Sequence, residues 1–363
     1  MTAVIAGSSE SCCTDCMVDS STEEEHLDGD ELFEHHRIVA DKGQTLLRVD
    51  KFLTNLLPNT SRNRLQMAAK SGYVRVNGNP VKSNYKVRPA DVVTLELPQP
   101  VHEFELVAED IPLDIRYEDT EVAVLHKPAG LVVHPGVGNY TGTLVNGLLH
   151  HFANLPTAEG QPAPRPGLVH RLDKDTTGLM VIGKTEQAMV SLSEQFFERT
   201  TERRYHALVW GEVADDGTVE GHIGRSRKDR KVQQVFPEAE EGKHAVTHYR
   251  VLERLGPVTL VECKLETGRT HQIRVHMQYI GHPLFGDKTY GGAQIVKGLP
   301  SGKYNQFVQN NFEILPRQAL HAKSLGFTHS GTGEFMQFES ELPEDMTTVL
   351  ERWRRYLGAT TQP

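Results

Sequence analysis

The clearest helical spacing in the chain begins at residue 49. Five apolar residues fall at i, i+3, i+4, i+7 and i+8, on one face of a helix: Val49, Phe52, Leu53, Leu56 and Leu57. Pro58 ends this helix, because proline cannot continue the hydrogen-bond ladder. A second short helix is predicted over 62–71, where Gly72 supplies the usual residue after a helix end.

Two strand-like segments follow this helical pair. Residues 73–76 and 92–97 are rich in valine, and Asn77-Gly78 between them is typical of a tight hairpin turn. Helices and strands together predict a small α+β domain over residues 43–98.

Charge divides this domain from the segment before it. The chain has a net charge of −9, but residues 1–36 contain ten acidic residues and no lysine or arginine, so the remainder carries +1. Residues 1–42 are therefore predicted to be an acidic, disordered tail. Residues 48–97 hold nine basic and three acidic residues. A local positive excess of this kind favours attraction to phosphate over an ordinary solvated face.

The longer remainder of the chain predicts a second domain. Residues 99–110 resemble a linker, and 111–358 are predicted to form a large domain. Its strand-like segments (122–126, 179–184, 206–213 and 259–265) and helical segments (143–151, 185–196 and 271–279) alternate irregularly. Because no βαβ rhythm emerges, we expect an α+β fold with a mixed, mostly antiparallel sheet and flanking helices. Residues 290–317 are polar and are predicted to be a surface excursion.

Several classes of protein are disfavoured by composition. No run of about 18 apolar residues occurs, so no membrane span is expected. A secretory leader is also missing from the N-terminus, which predicts a cytoplasmic protein. Three cysteines, Cys12, Cys13 and Cys16, lie close together in the acidic tail. No second ligand pair follows them at zinc-finger spacing, so no metal site is expected.

A polar stretch, HRLDKDTTGL over residues 170–179, precedes a hydrophobic strand. Two interpretations remain open from the residues alone. The stretch is either an ordinary surface loop, or a site in which Arg171 and Lys174 keep Asp173 ionised as a nucleophile or base.

A second candidate stretch is the helix within GRTHQIRVH, residues 268–276. Thr270 and Arg274 share a helical face, and the apolar neighbours of Arg274 suggest burial. A buried arginine needs a partner, and Asp173 would serve. Tyr205 is predicted to open a strand, where an ordinary core or edge aromatic is the simpler interpretation without further context.

Together these stretches resemble the RluA family of pseudouridine synthases, in particular its branch of ribosomal large subunit pseudouridine synthases of the D type. The similarity runs in order through the large domain: HKPAGLVVHPG (126–136), GTLVNGLLHH (142–151), GLVHRLDKDTTGLMV (167–181), RRYHALVWG (203–211), LETGRTHQIRVHMQYIGHPLFGD (265–287) and RQALHAKSLGF (317–327). The small basic domain resembles the S4 RNA-binding domain, through RVDKFL and SRNRLQMAAKSGYVRVNG.

This resemblance implies a pseudouridine synthase fold and a role for each matching residue. Asp173 would be the catalytic aspartate, and Arg274 the basic residue paired with it. Tyr205 would stack on the target base and help to remove a proton. Ile273 would line the uracil pocket, and Arg171 would occupy the space that the flipped nucleotide leaves.

The resemblance also implies the partners. The substrate would be structured RNA, in first place large-subunit (23S) rRNA or a pre-ribosomal particle, with tRNA as the open alternative, bound by a monomer without cofactor or metal. Four basic residues of the S4-like domain would lie near the RNA backbone: Arg62, Arg64, Lys70 and Arg75.

Three other functions fit the residues less well. A protein that only binds RNA would not need Asp173, Tyr205 and Arg274 together. A phosphotransferase would need His-Arg-Asp without the intervening Leu172, and a glycine-rich loop that is not found. A metal hydrolase is suggested only by scattered histidines, and none forms an HExxH motif.

Overall fold

The computed structural model describes residues 33–57, 62–97, 106–136, 139–157, 165–229, 232–238, 241–298 and 301–360. The chain divides into two units between Glu103 and Phe104. The predictions made for residues 1–32, including the cysteine cluster, lie outside the described residues.

The N-terminal unit is built from two helices and short strands. In chain order its elements are β1 (Phe33–Val39), β2 (Leu47–Arg48), α1 (Val49–Leu56), α2 (Arg62–Lys70), β3 (Val74–Val76), β4 (Asn79–Pro80), β5 (Lys86–Val87) and β6 (Val92–Leu97). Four strands form a sheet in the order β1-β6-β3-β4, and β2 pairs with β5. Four residues of the predicted apolar face, Val49, Phe52, Leu53 and Leu57, are buried in the core of this unit, whereas Leu56 is 50% exposed.

The hairpin turn and the start of the unit show one success and one error of the sequence interpretation. Asn77 and Gly78 have φ of 50° and 81°, as a turn of this kind requires. The tail predicted over 1–42 is too long, however. Residues 33–39 form β1, which pairs antiparallel with β6 and brings Ile38 and Ala40 against the core.

The larger unit contains ten strands and five helices among its described residues. In chain order they are β7 (Asp114–Glu118), β8 (Val122–Lys127), α3 (Leu144–His151), β9 (Thr177–Gly183), α4 (Glu186–Glu198), β10 (Glu202–Trp210), β11 (Gly217–Arg225), β12 (Gln233–Phe236), β13 (Lys243–Arg254), β14 (Val258–Leu265), α5 (Gln272–Tyr279), α6 (Gly302–Ile314), β15 (Leu320–Thr328), β16 (Phe335–Glu339) and α7 (Glu344–Thr360).

All ten strands belong to one sheet. Its order is β12-β11-β13-β14-β10-β15-β9-β8-β7, and β16 pairs with β15. Every described pairing is antiparallel except that of β9 with β15. The predicted α+β class with a mixed, mostly antiparallel sheet is therefore confirmed.

The segment 290–317 is not the surface excursion that its polarity suggested. It contains α6, whose Tyr304 and Val308 are buried in a cluster with Trp210 and Trp353. Helix α6 contributes one buried face to the core, and its many Asn and Gln residues lie mostly on the others. Within the described residues, no helix has the length and apolar character to cross a membrane.

Candidate active site

The polar motif before β9 forms a loop whose backbone is held by two buried basic side chains, those of Lys127 and Arg317. Nζ of Lys127, at the end of β8, donates to the carbonyl oxygen of Lys174 at 2.7 Å. Nη1 of Arg317 donates to the carbonyl oxygen of Asp175 at 3.0 Å. Two consecutive peptide groups directly after Asp173 are thus fixed by residues from distant segments, which limits where the Asp173 carboxylate can lie.

The glycine of this motif is required by a close approach of two strands. Gly178 lies on β9 with φ of +117°, which side chains other than glycine rarely adopt. A Cβ at this position would overlap the backbone carbonyl of Ala322 on the parallel strand β15. The glycine of this motif is therefore required for a structural reason.

Arg274 lies on α5 between two aspartates. Its Nε and Nη2 donate to the two carboxylate oxygens of Asp287 at 2.7 and 2.9 Å, and its Nη1 donates to Oδ2 of Asp173 at 3.1 Å. Burial lowers the pKa of Arg274, but hydrogen bonds and charges from Asp287 and Asp173 outweigh burial and raise it. Arg274 is therefore a permanent cation that holds Asp173 in one position.

Tyr290 and His271 make a second set of contacts with Arg274 and Asp173. The guanidinium of Arg274 lies 5.0 Å from the ring centroid of Tyr290, whose hydroxyl is 2.9 Å from Nδ1 of His271. Nε2 of His271 is 3.9 Å from Oδ1 of Asp173. Burial lowers the pKa of His271, against the opposing charge of Asp173, so the imidazole is neutral at neutral pH.

Asp173, His271 and Arg274 line one cavity of about 690 Å³ in the larger unit. The cavity contains five sequence-predicted site residues: Arg171, Asp173, Tyr205, Ile273 and Arg274. Arginine is its most frequent charged residue, and Asp173 is the sole carboxylate among the described lining residues. The structure thus gathers one carboxylate, one aromatic ring and several cations around a space that can hold a small planar group.

The walls of the cavity differ in character. Tyr205 lies within β10, inside the strand and not at its start as predicted, and its ring is nearly buried. Burial raises the pKa of Tyr205, so its phenol is protonated at neutral pH. Ile273 is buried on α5, whereas Arg171 is exposed to solvent.

The four basic residues of the N-terminal unit that are predicted to contact RNA differ in their exposure and in their ion pairs. Arg62 donates to the buried carboxylate of Asp50 at 3.1 Å, although half of its side chain is exposed. Arg75 pairs with Glu96 at 3.0 Å. Lys70 is exposed, and the side chain of Arg64 lies outside the described residues. Their contact with RNA remains a prediction.

Sequence reasoning missed several residues of the site. Asp287 lies in a quoted motif but received no role, although an acid in the apolar stretch HPLFGD was a usable signal. Tyr290, Phe196 and Lys127 likewise had none. Within the part of the chain that is described, no group of three or more His, Cys, Asp or Glu side chains could hold a metal ion.

A cavity that can hold a small planar group beside a fixed carboxylate, in a chain with a small basic domain, is typical of enzymes that modify a flipped RNA base. Residues 121–279 match the family model for RNA pseudouridylate synthases, and residues 47–93 match that for S4 domains.

Relatives cover nearly the whole chain. It is 49% identical over 321 residues to an uncharacterised RNA pseudouridine synthase of Chlorobaculum parvum, covering 88% of this chain and 98% of that protein. It is 47% identical to the uncharacterised RNA pseudouridine synthase YlyB of Bacillus subtilis, with the same coverage. It is also 44% identical to ribosomal large subunit pseudouridine synthase D of Pseudomonas aeruginosa, covering 85% and 92%.

The chain belongs to the RNA pseudouridine synthase family, which confirms the resemblance found in its motifs. It is an isomerase that converts uridine to pseudouridine, and its partner is RNA.

Proposed function

We propose that this enzyme modifies uridines of large-subunit ribosomal RNA and that Asp173 is its catalytic carboxylate. Several relatives at 42–45% identity are named ribosomal large subunit pseudouridine synthase D, which supports the choice of RNA. The placement of Asp173 in the cavity, 3.1 Å from Nη1 of Arg274, is the observation on which the assignment of the carboxylate rests.

The reaction itself sets what the site must supply. The bond between N1 of uracil and C1′ of ribose breaks, and a new bond joins C5 to C1′. C5 loses its proton, and N1 gains one. Atoms and electrons balance without a co-reactant. The base must leave its stack before this chemistry, so the cavity must accept a flipped nucleotide and hold a detached uracil while it turns.

Each predicted residue suits one of these needs. A carboxylate held in position by a cation can engage the nucleoside while its glycosidic bond is broken. Tyr205 offers a flat neutral surface for the uracil, and Ile273 an apolar wall that does not hydrogen-bond to it. Arg171, exposed near the cavity, can take the place of the flipped nucleotide.

The test is to map new pseudouridines. Large-subunit rRNA lacking this modification is incubated with the enzyme, and carbodiimide-dependent stops of reverse transcription are recorded. We expect stops with the wild type and none with Asp173→Asn, because the amide keeps the shape of the side chain but lacks the reactive carboxylate.

Two outcomes would contradict the proposal. Near-wild-type turnover by Asp173→Asn would remove Asp173 from the reaction. Stops on tRNA alone would replace the proposed substrate. The same protein preparation, measured by light scattering, tests the prediction that the enzyme is a monomer. The cytoplasmic location also stays a prediction.

A further inference from the structure

Three arginines of the larger unit are buried to the same degree. Arg203, Arg274 and Arg317 expose 7%, 6% and 6% of their surface. Arg274 is paired with Asp287, and both Nε and Nη2 of Arg317 donate to Asp345 at 2.8 Å. Arg203 differs, because no hydrogen bond or ion pair reaches its guanidinium from the described residues, and its buried Nε has no hydrogen-bond partner there.

Aromatic rings hold the Arg203 guanidinium in place. Its central carbon lies 5.2 Å from the ring centroid of Phe196 on α4, and that ring stacks on His170 with centroids 4.5 Å apart. On another side it lies against Gly268, where a Cβ would come within 3.1 Å of Nη1. Glycine therefore leaves room for this side chain.

The surroundings of Arg203 do not neutralise its charge. Nε2 of His170 accepts the backbone N–H of Val181, and burial together with the charge of Arg203 lowers the pKa of His170 to about 3, so its ring is neutral. A cation over an aromatic ring recovers only part of the hydration that burial removes. An unpaired buried cation is costly, so a group from outside the chain is expected to complete the site.

Position shows where such a group would come from. Arg203 lines the cavity that contains Asp173 and Tyr205. Residues 203, 205 and 207 of β10 are buried while 202, 204 and 206 are less so, which places Arg203 and Tyr205 on the same face of the strand. Two residues along a strand span about 7 Å, a distance similar to that between the base and the phosphate of one nucleotide.

We propose that Arg203 binds a non-bridging phosphate oxygen of the RNA nucleotide whose base lies against Tyr205. The inference rests on the proposed function, because it requires the target uridine to enter this cavity. Arg203 would then fix the backbone of the flipped nucleotide, while Arg274 and Asp173 act at its sugar and base.

Phosphate fits this site better than a carbonyl oxygen of uracil. The Arg203 side chain is largely buried and has no anionic partner among the described residues, so it favours a full negative charge, which a phosphate provides and a carbonyl does not. The planar fork of arginine also matches two oxygens of a phosphate. Asp173, the carboxylate of the cavity, is already bound by Arg274.

The test is a double-mutant cycle in which one change is made in the enzyme and the other in the RNA substrate. The substrate is a short RNA stem-loop around a uridine that the wild type converts. In separate oligonucleotides, the phosphate on the 5′ or the 3′ side of this uridine is replaced by a neutral methylphosphonate. Single-turnover rates are measured under subsaturating conditions with wild type, Arg203→Gln and Arg203→Lys.

We expect one of the two methylphosphonates to slow the wild type by about 10- to 100-fold, the range for loss of a charge-assisted hydrogen bond. Arg203→Gln should be slower by a similar factor on unmodified RNA, yet lose little more on that methylphosphonate. Arg203→Lys keeps the charge but not the fork, so it should recover part of the rate. A merely structural defect would not produce this coupling.

Arg204→Gln is the matched control. Arg204 is the next residue on β10, is partly exposed and pairs with Glu262 at 3.1 Å. It should leave the response to both methylphosphonates unchanged.

Two results would overturn the inference. One is a wild type that is insensitive to both replacements. The other is an Arg203→Gln enzyme whose single-turnover rate falls by the same factor as that of the wild type on each methylphosphonate RNA. If mapping shows tRNA as the substrate, the stem-loop is taken from that tRNA. Failure of the rRNA proposal is thereby separated from failure of this one.

Discussion

Replacement of Asp287 by asparagine tests whether Arg274 depends on the buried aspartate behind it. Asp287 is fully buried and accepts four hydrogen bonds, two from Arg274 and one each from the backbone N–H groups of Thr289 and Tyr290. Asparagine would keep one oxygen acceptor, remove the charge and turn an N–H₂ group towards donors. Removing one partner of a buried ion pair costs about 3–5 kcal/mol.

Because the amide retains part of the hydrogen bonding, we expect the lower end, about 3 kcal/mol of unfolding free energy. For a unit of this size that corresponds to a fall in Tm of about 6–12 °C. Activity should fall further than stability alone explains, since Arg274 would keep Asp173 as its one carboxylate partner and bind it more closely. A single-turnover rate at least about tenfold lower is expected from one altered charged hydrogen bond.

The measurements are chemical unfolding and single-turnover kinetics at a temperature where the variant is folded. Asp345→Asn is the matched control, because Asp345 makes the same two-pronged contact with Arg317 but its side chain is 27% exposed. Water can replace part of that contact, so a loss of about 1 kcal/mol is expected. An Asp287→Asn enzyme within about 1 kcal/mol of the wild type, with an unchanged rate, would refute this reasoning.

Two further predictions concern each unit in turn. Burial raises the pKa of Asp50, but hydrogen bonds from Arg48, Gln66 and Arg62 outweigh it and hold the pKa at about 2. The resulting stabilisation of about 2 kcal/mol is present above pH ~4 and is lost as the pH falls towards 2. Amide protection factors in α1 and α2, which correct for the intrinsic exchange rate at each pH, should therefore fall over that interval, and Asp50→Asn should abolish the step. In the larger unit, Gly178→Ala should prevent folding, judged by soluble yield and Tm, because its Cβ would overlap backbone. Gly130→Ala is the control, because Gly130 has φ of +82° but open space around it, and it should cost only about 1 kcal/mol of stability. Equal effects of Gly178→Ala and Gly130→Ala would contradict the overlap argument.

Local sequence patterns correctly predicted the elements whose conformation depends on residues close together in the chain. The spacing of apolar residues identified α1, and Asn77-Gly78 identified its hairpin turn, because backbone conformation there is set by the residues themselves. Helix α6 was missed for a different reason. Its buried Tyr304 and Val308 have helical spacing, but the Asn and Gln residues between them suggested a surface segment.

Contacts across long sequence separations were beyond such patterns. Asp173 and Arg274 were predicted as partners because a buried arginine needs a carboxylate, and they are indeed 3.1 Å apart. That rule requires a partner but does not say how many. The bidentate contact of Arg274 with Asp287 depends on how the chain turns after α5, which only the folded structure shows.

The distribution of charge, more than its total, relates this chain to its substrate. A net charge of −9 is unfavourable for binding RNA, yet ten acidic residues lie within residues 1–36. Among its described lining residues, the cavity instead presents five arginines and one carboxylate: Arg165, Arg171, Arg203, Arg269, Arg274 and Asp173. In ordinary salt the interaction between exposed charges falls off over about 10 Å, so the arginines of the cavity act most strongly on a phosphate that enters it. A negative net charge is therefore compatible with RNA binding at this cavity, where Asp173 is the one carboxylate among the described lining residues.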